Sequence, residues 1–72
     1  MFMACAEGFV APAQATNDYE LAQGQAVARA RFYGKGYVYS FIGKQLALYP
    51  CLEAIREGAT VTVKEVPSVS RK

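Results

Sequence analysis

Residues Tyr37 to Tyr49 read Tyr-Val-Tyr-Ser-Phe-Ile-Gly-Lys-Gln-Leu-Ala-Leu-Tyr, two apolar runs about a Gly-Lys pair, and no other stretch constrains the chain as much. A two-residue hairpin turn of one common type requires glycine at its first position, so Gly43 and Lys44 are expected to reverse the chain. Counting outward sets Ile42 opposite Gln45, Phe41 opposite Leu46, Tyr39 opposite Leu48 and Val38 opposite Tyr49. Directly opposed residues share a face of the sheet. One face is then Tyr37, Tyr39, Phe41, Leu46 and Leu48; the other is Val38, Ser40, Ile42, Gln45, Ala47 and Tyr49. The first is richer in large apolar groups and is predicted to be the core, which leaves the second free for contact.

A chain of 72 residues forms one domain, and a domain of this size buries only about 60% of the surface its unfolded chain exposes. A partner or a second copy would add to a thin margin. With 53% hydrophobic and 19% charged residues, the composition is that of a folded chain rather than a disordered one. No apolar run reaches the length a membrane span needs. Ala13-Gln14-Ala15 has the look of a signal-peptidase site, but a basic start is lacking and Glu7-Gly8 interrupts the apolar stretch, so a mature cytoplasmic protein is expected.

The helical and extended elements follow from local signals. Phe2 to Val10 is apolar and broken by Glu7-Gly8, as in a strand with a bulge at the glycine. Asn17 with Glu20 three residues on has capping-box spacing, which predicts a helix from Asp18 to Tyr33 stopped by Gly34. Its apolar residues fall in two stripes: Tyr19, Ala22, Ala26, Ala30 and Tyr33, and nearly opposite, Leu21, Ala28 and Phe32. The small alanines permit close approach to a sheet. Pro50 at a first helical position, Glu53 and Gly58 predict a second, short helix over Cys51 to Glu57, with Leu52 and Ile55 inward. Val61 and Val63 alternate with threonine and lysine in a last strand, Thr60 to Val66.

The expected fold is therefore α+β: a βαββαβ, ferredoxin-like antiparallel sheet with both helices on one face, built from residues 1–66. The alternative is one main helix packed on a three-stranded antiparallel sheet. Residues 67–72 are expected to form a mobile basic tail, and Arg71 and Lys72 supply the whole formal charge of +2. The remaining charges balance, although no acid occurs between Glu20 and Glu53 while Arg29, Arg31, Lys35 and Lys44 do.

Chemistry-bearing constellations are scarce. Without histidine the usual near-neutral proton shuttle is missing, the serines have no recognisable base beside them, and the acids are scattered, so no catalytic residue is assigned and no enzyme is expected. Cys5 and Cys51 have neither CxxC spacing nor histidine companions; they are read as reduced thiols with no metal site, and no cofactor is assigned. Cys51 at a helix start would be the one candidate thiolate. Gly34-Lys35-Gly36 leaves a helix rather than opening one and so cannot cradle phosphate.

Lys35-Gly36-Tyr37-Val38-Tyr39-Ser40-Phe41 resembles part of the RNA-recognition-motif signature, a basic residue and glycine followed by alternating aromatics. The resemblance covers these seven residues, and Val38 and Ser40 stand where that family has other small or apolar residues. It implies RNA or single-strand binding with Tyr37 and Tyr39 stacking on bases and Lys35 and Lys44, with Arg29 and Arg31, on phosphates. The leading expectation is different: a small non-catalytic protein-interaction module, acting as a homodimer or as an inhibitor or accessory subunit on a larger complex, of the kind phages and plasmids encode. Its predicted contact residues are Arg29, Arg31, Val38, Ile42 and Tyr49.

Overall fold

The computed structural model describes residues 1–66; the expected basic tail lies outside them. The described residues contain one α-helix and a five-stranded antiparallel sheet. Strand β1 (Phe2–Ala6) is followed by a single 3-10 turn (Glu7–Phe9), helix α1 (Tyr19–Tyr33), β2 (Lys35–Ile42), the two-residue β3 (Gln45–Leu46), β4 (Leu52–Glu57) and β5 (Thr60–Glu65). The sheet order is β1-β2-β4-β5, with β3 also paired to β2. The α+β class is as expected. The second helix is not: Leu52–Glu57 is a strand held between β2 and β5, and ladder bonds on both sides outweigh the weak helical preference of two turns.

Helix α1 begins one residue later than predicted. The cap is Asp18, whose carboxylate accepts from the Leu21 N–H at 3.1 Å, while Thr16 Oγ1 accepts from the Asp18 N–H. Gly34 ends it with φ of 100° and returns its N–H to the Ala30 carbonyl. Arg56 of β4 secures the same end, donating from Nη1 to the Arg31 carbonyl at 2.7 Å and from its backbone N–H to Gly34. Ala22, Ala26 and Ala30 are fully buried against Ala4, Val38, Leu52 and Ala54. The interior is thus packed mainly with methyl groups.

That small-residue stripe decides which sheet face is the core. A Cβ on Gly36 would overlap the Ala26 carbonyl oxygen and lie 2.9 Å from the carbonyl carbon behind it, so helix and strand meet backbone to backbone at this point. Gly36, Val38, Ala4, Ala6, Ala54 and Leu52 are the buried sheet residues on the face beneath this helix. The prediction that Tyr37, Tyr39 and Phe41 form the core is therefore reversed. Val38 is fully buried and the rings lie on the side of the sheet away from α1.

Two further departures come from chain reversals. The strand expected to reach Val10 ends at Ala6, where Gly8 (φ 77°), Phe9 (φ 60°) and Ala11 (φ 51°) turn the chain back. Residues 10–16 then run along the outer edge of β1, bonded through Ala6 to Val10, Ala13 to Ala4, and Phe2 with Thr16 in both directions. The second departure lies beyond the Gly43-Lys44 turn. Ile42↔Gln45 and Phe41↔Leu46 pair as predicted, but Val38 faces Leu52 instead of Tyr49, so three extra residues have entered the strand. The Ala47 N–H donates to Ser40 and the Cys51 N–H to Val38, and the chain between them leaves the sheet and returns.

Candidate interaction surface

The register assigns the face opposite α1: Met3 and Cys5 from β1, Lys35, Tyr37, Tyr39 and Phe41 from β2, Glu53, Ile55 and Glu57 from β4, and Thr60, Thr62 and Lys64 from β5. No helix covers it among the described residues. The turn at Gly8 folds Phe9 back over this face, where its ring stacks on Tyr39 with centroids 5.0 Å apart and an interplanar angle of 26°. Tyr37 and Tyr39 stand 6.4 Å apart, tilted by 55°. The result is a row of three rings in contact, each still reaching solvent.

The electrostatics of that row are mixed. Burial first, then the charges of Glu7 and Glu53, push the Tyr37 hydroxyl above its ordinary range. Burial also raises Tyr39, with Cys5 and Tyr37 adding to it. Glu7, Glu53 and Glu57 are set against Lys35 and Lys64 around the rings, which gives no surplus of positive charge there.

The hairpin end is more exposed. Ile42, Leu48 and Tyr49 are 71, 87 and 62% exposed, and the Met1 carbonyl, which accepts from the Phe41 N–H, brings an exposed methionine to the same end of the sheet. Leu48 was predicted to be core; the three-residue excursion carries it out of the sheet. On the helix, Leu21, Phe32 and Tyr33 are also exposed, with the Phe32 and Tyr33 rings in edge contact at 4.9 Å.

The predicted contact residues thus separate. Val38 is excluded, because it lies in the core under α1. Arg29 is a strut: its Nε donates to the Ala11 carbonyl at 2.7 Å, tying residues 10–16 to the helix, while its Nη1 donates to the Gln25 carbonyl at 3.1 Å within α1. Arg31 is exposed, but it sits in the last turn of α1 near the start of β2, about 23 Å of strand away from Ile42 at seven rises of about 3.3 Å. Ile42 is in the pair next to the turn and Tyr49 in the excursion between Ala47 and Cys51, and both are exposed. Of the residues implied by the RNA-recognition resemblance, Lys35, Tyr37 and Tyr39 share the open face, and Lys44 is exposed at the turn beyond it. Sequence reasoning missed Phe9 and Leu48; the Glu7-Gly8 pair was a signal for the first, and nothing local marked the second.

Cys5 is buried and Cys51 half-buried, both are free, and burial raises both thiols above their ordinary value; the helix start that made Cys51 a candidate thiolate is replaced by strand β4. Among the described residues no group of three or more His, Cys, Asp or Glu side chains is placed to hold a metal ion, and no helix is long and apolar enough to cross a membrane. No protein-family model, curated protein or solved structure matches the chain.

Proposed function

We propose that this chain is a non-catalytic protein-interaction module whose contact surface is the hairpin end together with the adjoining ring-bearing face of the sheet. The observation that carries this reading is the inverted distribution of bulk: alanines fill the interior while Ile42, Leu48 and Tyr49 stand in water. Large apolar groups gathered at one end of a small domain mark an interaction site, and tyrosine is a favoured anchor because it buries area and still satisfies a polar group. The excursion from Ala47 to Cys51 is fixed at both ends by backbone hydrogen bonds, so its display of Leu48 and Tyr49 is anchored to the scaffold.

The test is capture of a binding protein from the source cell by the immobilised chain, identified by mass spectrometry and then measured with the purified partner. Ile42→Asp and Tyr49→Ala should each weaken that complex at least about tenfold, the usual scale for a central interface residue. Unchanged affinity in both variants would remove the hairpin end from the interface.

Single-stranded nucleic acid is the second reading, favoured by one observation: Tyr37 and Tyr39 occupy the open face of the sheet, where base stacking would need them. Glu7 and Glu53 beside Tyr37 oppose it electrostatically. Titration of a labelled oligonucleotide at low salt separates the two readings, since stacking predicts binding that Tyr39→Ala and Lys35→Ala weaken and that rising salt abolishes.

A further inference from the structure

The four-stranded path has two edges, and the chain treats them differently. Along β1 the segment 10–16 occupies the backbone groups of Phe2, Ala4 and Ala6. Along β5 no described segment does so. The Val66 N–H donates to Cys51 and the pairing is regular from Glu57↔Thr60 to Leu52↔Glu65. Alternation then points the backbone groups of Thr60, Thr62 and Lys64 toward β4 and those of Val61, Val63 and Glu65 outward. Three consecutive outward residues, without bulge or proline, form an open hydrogen-bonding template.

We infer that this edge pairs with the same edge of a second copy, antiparallel about a two-fold axis through Val63. The axis stands perpendicular to the sheet, so the two four-stranded paths join into one continuous sheet with both helices on one side. In this register Val63 meets Val63, Val61 meets the second copy's Glu65, and Thr62 meets the second copy's Lys64. No like charges stand directly opposite. Shifting the axis to Lys64 would oppose two lysines, and that register is disfavoured.

Charge raises no obstacle at the joint, since Glu65 of one copy neighbours the uncharged Val61 of the other. Lys64 is balanced within its own copy by Glu53 directly opposite. The half-buried Val61 and Val63, which pack only partly under α1, gain apolar neighbours from the second copy. A single strand pair is a small interface, so the dimer is concentration-dependent. The pairing is independent of the hairpin end and of what binds there.

Sedimentation equilibrium of the full chain over a wide concentration range should show the mass rising from 7.8 kDa toward twice that value. Val63→Lys, which sets two ammonium groups on the axis, should weaken the dimer at least about tenfold. Because that substitution also touches a half-buried position, a second measurement uses cysteine pairs. Thr62→Cys combined with Lys64→Cys should give a covalent dimer under mild oxidation, since narrow non-hydrogen-bonded pairs of this kind suit a disulfide. Thr62→Cys alone, and the unaltered chain with Cys5 and Cys51, should not. A monomer at every concentration, or a dimer that yields no cross-link in the double variant, overturns the inference. A dimer abolished by Ile42→Asp and untouched by Val63→Lys also overturns it, and transfers self-association to the hairpin end.

Discussion

Replacing Gly36 by alanine adds one methyl group at the point where α1 rests on β2. An ideal Cβ there overlaps the Ala26 carbonyl oxygen and lies 3.2 Å from the Ala26 Cα, and all of these obstructing atoms are backbone. Backbone in mid-helix cannot rotate aside as a side chain can, so the helix must lift from the sheet. Lifting it opens gaps around Ala22, Ala26 and Ala30, which together form most of the helix side of the core. Overpacking typically costs about 1–3 kcal/mol, and a rigid obstruction belongs at the upper end, about 3 kcal/mol. A domain of this length has roughly 4–11 kcal/mol in total, at about 0.05–0.15 kcal/mol per residue. The expected loss in melting temperature is about 12–24 °C, from about 4–8 °C per kcal/mol in domains of this size. Gly24→Ala is the matched control: Gly24 is exposed within α1 and an added Cβ meets nothing within 4 Å, so relief of glycine's entropy should raise the melting temperature by about 2–8 °C. Thermal melts followed by circular dichroism read both. Gly36→Ala melting within about 4 °C of the parent, or about 0.5 kcal/mol, would refute the close contact and the choice of core face built on it.

Two further outcomes follow from the scaffold. Arg29→Ala removes the Nε donor that ties residues 10–16 to the helix, which should cost about 2 kcal/mol for a charge-assisted bond and expose that segment to limited proteolysis first; an unchanged cleavage pattern would contradict the strut. Cys5 and Cys51, from an ordinary 9.0, and Tyr19, Tyr37 and Tyr39, from an ordinary 10.0, all have raised pKa values, burial being the largest cause in each. The folded chain holds these protons more tightly than the unfolded one. Their contribution is therefore fully present below about pH 9 and is lost as pH climbs through the folded values. Melting temperatures measured from pH 7 to 11 should fall above about pH 9, and a rising curve there would show that these groups are not buried.

The helix was legible because its signals are local. The polar run Asn17-Asp18 with Glu20, and Gly34, mark its ends whatever it packs on, although the cap is Asp18 rather than the expected Asn17, and the alanine stripe was recognisable as a surface for close approach. The turn at Gly43 and its first two pairs were legible for the same reason. The core face was misread by weighing apolar bulk alone, when Gly36 inside β2 and the alanines of α1 both called for small residues at the contact. Read together, those two features would have placed the rings outside. Leu52–Glu57 was not legible as a strand, because Pro50, Glu53 and Gly58 imitate helix boundaries and the ladders that decide the matter come from distant β2 and β5. Of the proposed contact surface, Ile42 followed from the turn at Gly43, whereas Phe9, Leu48 and Tyr49 depend on reversals whose outcome is tertiary.

The detour between Ala47 and Cys51 separates two tasks that a regular hairpin would force on the same residues. Because Leu52 finds its place through Val38 and Glu65 rather than through counting from the turn, the positions at 48–50 are released from the alternation that governs the rest of the strand. Sequence change there is decoupled from the scaffold. Loop length adds only slowly to closure entropy, so this site accepts substituted or lengthened peptides at little expense to folding, a natural place for specificity to diversify or for a chosen epitope to be grafted.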